Sequence, residues 1–179
     1  LQHQLNPEVE EALAVHFLRT IEQVKQEIGL PLVLENFPYY SFLVHYKLCA
    51  APRFITRICL ESDCGFLLDL AHARCSAWFF RTDLLTYLNG LPLDRVKEIH
   101  LAGVWTRAEG VIDTHTKLEE DDYVVLRYVL TKTDPEIITI EYGGMPDQIR
   151  NLHGEYEPVR RNDPWELREM IDRVRQVCF

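Results

Sequence analysis

The sequence is poor in long hydrophobic runs and in positive charge, and both shortages restrict its function. No apolar stretch approaches the roughly 20 residues that a membrane-spanning helix needs, so we expect no membrane partner. Lysine and arginine number 19 against 28 aspartate and glutamate residues, which gives a net charge of -9. A negative surface repels phosphate backbones, so we expect no nucleic-acid partner either.

The sequence also lacks a regular cysteine pattern and a signal peptide. Its five cysteines are odd in number and irregularly spaced, which does not suggest a disulfide framework. Residues 1–4 lack the basic start and the apolar core of a signal peptide. We therefore expect reduced thiols and a cytoplasmic location.

What is present is a repeated helix–strand pattern. With 179 residues, 47% of them hydrophobic and 26% charged, the chain has the composition of one globular domain. Helix-like segments alternate with four short apolar runs near residues 31–35, 65–69, 96–101 and 137–141. This alternation is typical of an α/β fold in which parallel strands carry helices on one side.

Local signals predict where several helices begin and end. Asn6 is a suitable N-cap for a first helix that Gly29 ends, and Asp121 or Asp122 is a suitable cap for a helix beginning near Tyr123. Further helices are predicted near residues 54–62 and 82–88 and after Pro164. Residues 142–146 predict a turn into a polar loop.

The third apolar run carries the most informative motif. It ends on His100, and Asp113-x-His115 follows thirteen residues later. Side chains at positions i and i+2 of an extended segment point the same way, so a carboxylate and an imidazole can converge there. Such a mixed set suits zinc, manganese or iron. The alternative is a buried histidine beside a loop aspartate that caps a helix.

Potential metal ligands follow all four predicted strands. Each has a structural alternative when taken singly, such as an ion pair for Glu35, a core position for His72 or a loop contact for Glu141. One ion needs about four to six ligands, and the candidates taken together are more numerous than that. The sequence therefore predicts two or three ions at the carboxyl ends of the strands. The predicted ligands are Glu35, Asp69, His72, His100, Asp113, His115 and Glu141.

These motifs resemble those of the multinuclear non-haem iron-dependent oxidative enzymes, a former domain-of-unknown-function family of the sugar-isomerase-like TIM-barrel superfamily. The resemblance covers nearly the whole chain in the expected order. It rests on Leu34-Glu35-Asn36, on residues 64–69 with Ser76-Ala77, on Glu98-Ile99-His100-Leu101-Ala102-Gly103, on Ile112-Asp113-Thr114-His115 and on Ile140-Glu141.

The resemblance implies a (β/α)8 barrel of which this chain, as a single domain over residues 1–179, supplies the last four β/α units. We expect the N-terminal half-barrel to come from elsewhere in a longer protein or from a partner. The resemblance also implies two or three irons and O2-dependent modification of a peptide, often at cysteine, commonly with a partner protein that presents the peptide. We predict catalytic roles for Glu35, His72, His100 and His115.

Two departures from the family pattern leave other functions open. Many members carry Asn-Asn where this chain has Ala71-His72, and Glu-Trp-Asp where it has Glu141-Tyr142-Gly143. Asp69-x-x-His72 is similar to the motif of related zinc- or manganese-dependent hydrolases, lyases and sugar isomerases. A non-catalytic half-barrel that binds a peptide or stabilises a partner is a third possibility.

Substrate contacts are predicted on the same rim. Asn36 follows the first strand, while Arg150, Arg160 and Arg161 follow the fourth. Arginine binds carboxylate or phosphate through two parallel hydrogen bonds, so Arg160 and Arg161 are candidate substrate-binding residues. The alternative is that these arginines are solvated surface residues.

Overall fold

The computed structural model describes residues 7–150 and 156–179, with the side chains of residue 44, residues 145–150 and residues 156–159 left undescribed. The helices are α1 Pro7–Ile28, α2 Pro52–Glu61, α3 Leu70–Phe80, α4 Leu84–Asn89, α5 Glu120–Leu130 and α6 Pro164–Cys178. The strands are β1 Val33–Glu35, β2 Gly65–Asp69, β3 Val96–Leu101, β4 Gly103–Arg107, β5 Gly110–Thr116, β6 Ile137–Ile140, β7 Met145–Arg150 and β8 Tyr156–Arg161.

A four-stranded parallel sheet forms the centre of the fold. Its strand order is β1-β2-β3-β6, and every neighbouring pair is parallel. The four strands lie where the apolar runs predicted them, which confirms an α/β fold with a parallel sheet. Because the strands are parallel, their carboxyl ends all lie at one edge of the sheet.

The two faces of this sheet differ in polarity. One face contributes Phe66, Leu68, Ile99 and Leu101 to an apolar core that also contains residues of α3, α4, α5 and α6. Since successive side chains on a strand point to opposite faces, the other face carries the side chains between these. It includes Asp69, Glu98, His100 and Thr139, so the strands are apolar mainly on the helix-covered face.

The outer strands have exposed apolar residues. Val33 on β1 is 44% exposed and Ile137 on β6 is 53% exposed, whereas Phe66 and Ile99 on the inner strands are fully buried. Within residues 7–150 and 156–179, no further strand pairs with β1 or β6. The sheet therefore has two open edges in the part of the chain that the structure describes.

Several helix boundaries agree with the local signals. Gly29 has a φ of 67° and its N–H donates to the Lys25 carbonyl, as expected of a residue that ends a helix. Asp163 accepts a hydrogen bond from Trp165 N at the start of α6. The expected N-cap Asn6 lies outside the described residues.

Two local predictions were wrong, and two elements of the fold were missed. Glu119 rather than Asp121 or Asp122 caps α5, and Asp122 bonds back to the Glu119 N–H as the third helical residue. The predicted polar loop after Tyr142 contains the β7–β8 hairpin instead. Helix α3 and the β4–β5 hairpin were not predicted at all.

All five cysteines are free, as expected of reduced thiols. Among the residues that the structure describes, no helix combines the length and the apolar character needed to cross a membrane.

The β4–β5 hairpin depends on a glycine at its base. A Cβ added at Gly103 would meet the backbone carbonyl oxygens of Lys117 and Thr116, the latter at 2.6 Å. The Gly103 carbonyl also accepts a hydrogen bond from Thr114 Oγ1 at 3.0 Å. A side chain at this position would therefore displace the strand that carries Asp113 and His115.

We predict that Gly103→Ala lowers the free energy of unfolding by about 2–3 kcal/mol, the cost of forcing atoms into a packed site. Gly110→Ala is the matched control in the same hairpin, because its added Cβ would meet a side chain, the tip of the Phe79 ring at 2.8 Å, instead of the backbone of a neighbouring strand. Urea unfolding of both variants measures the difference. Equal losses for the two variants would contradict the prediction.

Candidate metal centre

The register of the sheet brings the predicted ligands of separate strands to one edge. Asp69 at the end of β2 pairs with His100 on β3. Glu35 is the last residue of β1, and Glu141 directly follows β6, with its N–H donating to the Leu101 carbonyl at 2.8 Å. Four polar side chains thus lie side by side at the carboxyl ends of parallel strands.

Asp69 occupies the junction between β2 and α3 and is fully buried. Its Oδ1 accepts a hydrogen bond from His72 N at 2.7 Å and so caps α3. Its Oδ2 is buried and has no hydrogen-bond partner among the described residues. A carboxylate oxygen left unpaired inside a protein is costly unless a cation or a proton satisfies it.

Asn36 fixes the backbone of Asp69. The Asn36 amide donates from Nδ2 to the Asp69 carbonyl at 2.9 Å and accepts from Asp69 N at Oδ1 at 2.8 Å. Asn36 is also fully buried. Both polar atoms of its amide thus hold the β2 terminus in place, and its predicted contact with a substrate stays a prediction.

His72 lies in the first turn of α3 among three carboxylates. Its Nδ1 is 2.9 Å from the Asn36 carbonyl and 3.2 Å from Glu35 Oε1. Its Nε2 is 3.8 Å from Asp69 Oδ2 and 3.5 Å from Asp113 Oδ2. The helix that the sequence pattern did not predict thus brings His72 to Glu35, Asp69 and Asp113.

The β4–β5 hairpin brings Asp113 and His115 to the same place. His115 Nε2 lies 2.9 Å from Asp113 Oδ2, so the predicted convergence occurs. Its cause differs from the prediction, because the strand register shifts here and His115 has a φ of 51° instead of an extended backbone. A positive φ is unfavourable for histidine, so the surrounding structure holds this residue in a strained conformation.

His100 and Glu141 complete the cluster. His100 Nδ1 is buried, lies 3.2 Å from Glu141 Oε1 and has no hydrogen-bond partner in the described part of the chain. Glu141 Oε2 is 3.7 Å from His115 Nε2. On its other side, His100 Nε2 is 3.1 Å from Glu98 Oε1, a contact that was not predicted.

Two groups of these residues have the spacing of a metal site. Glu35, Asp69 and His72 form one group, and Asp69, His100 and Glu141 form the other, each with its potential ligand atoms within 4.8 Å of one another. Asp69 belongs to both groups. A carboxylate has two oxygens, so this arrangement is suited to two cations that share one bridging residue.

The pKa values show how the cluster is balanced without a metal ion. Burial raises the pKa of Asp69 to about 6. Burial alone lowers the pKa of His72, but the neighbouring carboxylates of Asp113, Glu35 and Asp69 outweigh it and raise that pKa to about 10. His72 is then a cation among carboxylates, and a metal ion at this place would compete with its proton.

Comparison with known sequences agrees with these motifs. A model of the family described as RiPP precursor modification enzyme MbnB/TglH/ChrH matches residues 3–163. The chain belongs to this family. The resemblance to the multinuclear non-haem iron oxidative enzymes is thereby confirmed at the level of family membership.

The curated proteins to which this chain is similar include several UPF0276 proteins. One from Acaryochloris marina (strain MBIC 11017) is 37% identical over 95 residues, which cover 53% of this chain and 34% of the relative. One from Anaeromyxobacter sp. (strain Fw109-5) is 36% identical over 111 residues, which cover 61% and 38% respectively. The chain thus spans little more than a third of the length of these relatives.

The predicted substrate-binding arginines of this MbnB/TglH/ChrH family member lie on the β7–β8 hairpin, at the end of β8. Arg160 donates from Nη1 to the Thr114 carbonyl at 2.6 Å and to the Gly144 carbonyl at 3.3 Å. It therefore ties β8 to the hairpin strand that carries Asp113 and His115. Arg161 is exposed beside it, and the side chain of Arg150 lies outside the described residues.

We predict that His115→Gly is more stable to urea than His115→Ala by about 0.5–1 kcal/mol, because glycine adopts a positive φ without strain. Both variants lose the imidazole, so the difference between them is the backbone strain that glycine relieves, less the roughly 0.4–1 kcal/mol that glycine costs through the greater freedom of the unfolded chain. An alanine variant more stable than the glycine variant by that full amount would mean that position 115 is not strained.

Proposed function

We propose that this protein is a metal-dependent oxidative enzyme that holds two or three irons at the carboxyl edge of its parallel sheet and uses O2 to modify a peptide, often one that contains cysteine. The observation that carries the proposal is the sharing of buried Asp69 by two potential ligand groups. Asp69 Oδ2 and His100 Nδ1, one from a carboxylate and one from an imidazole, are both buried without a hydrogen-bond partner among the described residues.

The donor chemistry of the cluster fits this proposal. Carboxylate and imidazole ligands suit iron, manganese and zinc, and no cysteine is among the clustered residues. The proposed metal ligands are Glu35, Asp69, His72, His100, Asp113, His115 and Glu141. Bound iron supplies the redox change and the open coordination positions that reaction with O2 requires.

The residues of this chain have separate tasks in the proposed site. Asp69 joins the two ligand groups, and Asn36 and the α3 cap hold its carboxylate in place. Asp113 orients His115, because its Oδ1 accepts a hydrogen bond from the His115 backbone N–H and its Oδ2 contacts the His115 ring at Nε2. Glu35, His72, His100 and His115 form the proposed catalytic set, because each offers a ligand atom or a proton site to the same centre.

The peptide substrate is supported by the family description, since RiPP precursors are peptides. Arg160 and Arg161 remain candidates for a peptide carboxylate. Arg160 uses Nη1 on backbone carbonyls, and its guanidinium has further N–H donors for a substrate. A partner protein that presents the peptide is part of the proposal and rests on the resemblance alone.

We also propose that the sheet is the second half of a (β/α)8 barrel and that residues 1–179 form a single domain. Four parallel strands end in polar residues at one edge, which is the arrangement of a barrel rim. Open edges with exposed apolar residues invite pairing. Closure by four further strands, from elsewhere in the protein or from a partner, would cover both edges.

A zinc- or manganese-dependent hydrolase, lyase or isomerase is the second candidate function. The observation that favours it is the position of His72, whose Nε2 faces the carboxylates of Asp69 and Asp113. A nitrogen ligand at this position suits zinc better than an asparagine oxygen does.

Metal content and O2 uptake of the intact, anaerobically purified protein test the proposal. After reconstitution with iron(II), we expect two or three irons per chain and O2 consumption in the presence of the peptide substrate. A zinc-loaded sample should consume none. Activity with zinc and none with iron would overturn the oxidative function and favour the second candidate, and failure to bind any metal would favour a binding module.

Asp69→Asn is the sharpest variant for this test. Asparagine still caps α3 through its side-chain oxygen but removes the negative charge and one potential ligand oxygen. We expect loss of metal from both groups with a free energy of unfolding within about 1 kcal/mol of wild type. Asp83→Asn is the matched control, since Asp83 caps α4 in the same way at an exposed position. Metal retention in Asp69→Asn would contradict the proposed shared ligand.

A further inference from the structure

Glu98 lies on β3 two residues before His100, so both side chains point to the polar face of the sheet. Its Oε1 is 3.1 Å from His100 Nε2 and accepts a hydrogen bond from Thr139 Oγ1 at 2.7 Å. Thr139 pairs with His100 across β3 and β6. Thr139 thus holds the Glu98 carboxylate while that carboxylate contacts the ring of His100.

The two ring nitrogens of His100 have different surroundings. Nε2 faces the carboxylate of Glu98, which accepts hydrogen bonds and cannot donate when ionised. Nδ1 is buried and makes no hydrogen bond within the described residues, although Glu141 Oε1 is 3.2 Å away. This arrangement favours a proton on Nε2 and a lone pair on Nδ1.

We propose that Glu98, held by Thr139, is a positioning residue that keeps the proton of His100 on Nε2 and so presents Nδ1 to the metal centre. The inference rests on the proposed metal centre, because His100, Asp69 and Glu141 form one of its two ligand groups. A carboxylate behind a metal-binding histidine fixes the ring and its tautomer and makes the ligand nitrogen more basic.

The position of the proton can be measured without any metal. In the metal-free intact protein labelled with 15N-histidine, NMR at a pH where the ring is neutral should show His100 with its proton on Nε2. Glu98→Ala should give a mixture of the two tautomers. Glu98→Gln should keep the wild-type tautomer, because its amide oxygen can still accept from Nε2. A wild-type His100 with its proton on Nδ1 would overturn the proposal.

Metal affinity supplies the second readout, with zinc and iron(II) each added alone to the anaerobic protein. We expect Glu98→Ala to bind about 10–100-fold more weakly than wild type, the usual effect of removing such a partner. Glu98→Gln and Thr139→Val should lose less, since each keeps part of the contact. Glu136→Ala is the matched control, because it removes an exposed glutamate bonded to Lys97 in the adjoining part of the sheet.

The combined results separate this proposal from the proposed function. Wild-type affinity in Glu98→Ala, or an equal loss in Glu136→Ala, would overturn the positioning role even if the protein is an iron enzyme. If the wild-type protein binds no metal but the tautomer changes as expected in Glu98→Ala, the proposed function fails and the role of Glu98 in fixing the ring is supported.

Discussion

The buried carboxylate of Asp69 is the group on which the rest of the candidate centre depends. One of its oxygens caps α3 and thereby places His72, while the other is buried without a hydrogen-bond partner among the described residues. Asn36, the residue directly after β1, holds the backbone of Asp69. Burying a charge of this kind is unfavourable by itself, and the imidazole of His72, whose Nε2 lies 3.8 Å from Asp69 Oδ2, partly offsets that cost. In the proposed centre a metal ion would take this place.

The hairpin that carries Asp113 and His115 shows how the fold maintains an unfavourable conformation. The positive φ of His115 is a local cost, and the contacts around it offset that cost. Thr114 bonds to Gly103, Arg160 bonds to Thr114, and Gly103 allows the close approach of the two strands. These contacts maintain the strained backbone of His115 and keep Asp113 and His115 in one position.

The parallel sheet explains both the site and its unfinished edges. Parallel strands place their carboxyl ends together, so single residues far apart in the chain become neighbours. The same geometry leaves β1 and β6 with exposed apolar residues in the described part of the chain. The proposed barrel closure would remove these edges and would bring additional residues to the rim beside Glu35 and Glu141.

The sequence by itself determined the four parallel strands and the types of residue that follow them. Apolar runs, caps and glycine positions are local signals, and they placed β1, β2, β3 and β6 and the start of α6. The pairing of Asp113 with His115 was also visible in their spacing, although the backbone reason for it was not.

Only the tertiary structure decided how these residues act together. Asn36 acts through its hydrogen bonds to Asp69 at the end of the neighbouring strand. The Glu98 carboxylate that contacts His100 is held by a hydrogen bond from Thr139, which lies on another strand. The bulged hairpin depends on Gly103 and Arg160, which are distant from each other in sequence. Such contacts form between segments that local propensity cannot bring together, because the register of the sheet and the packing of the core decide which segments meet.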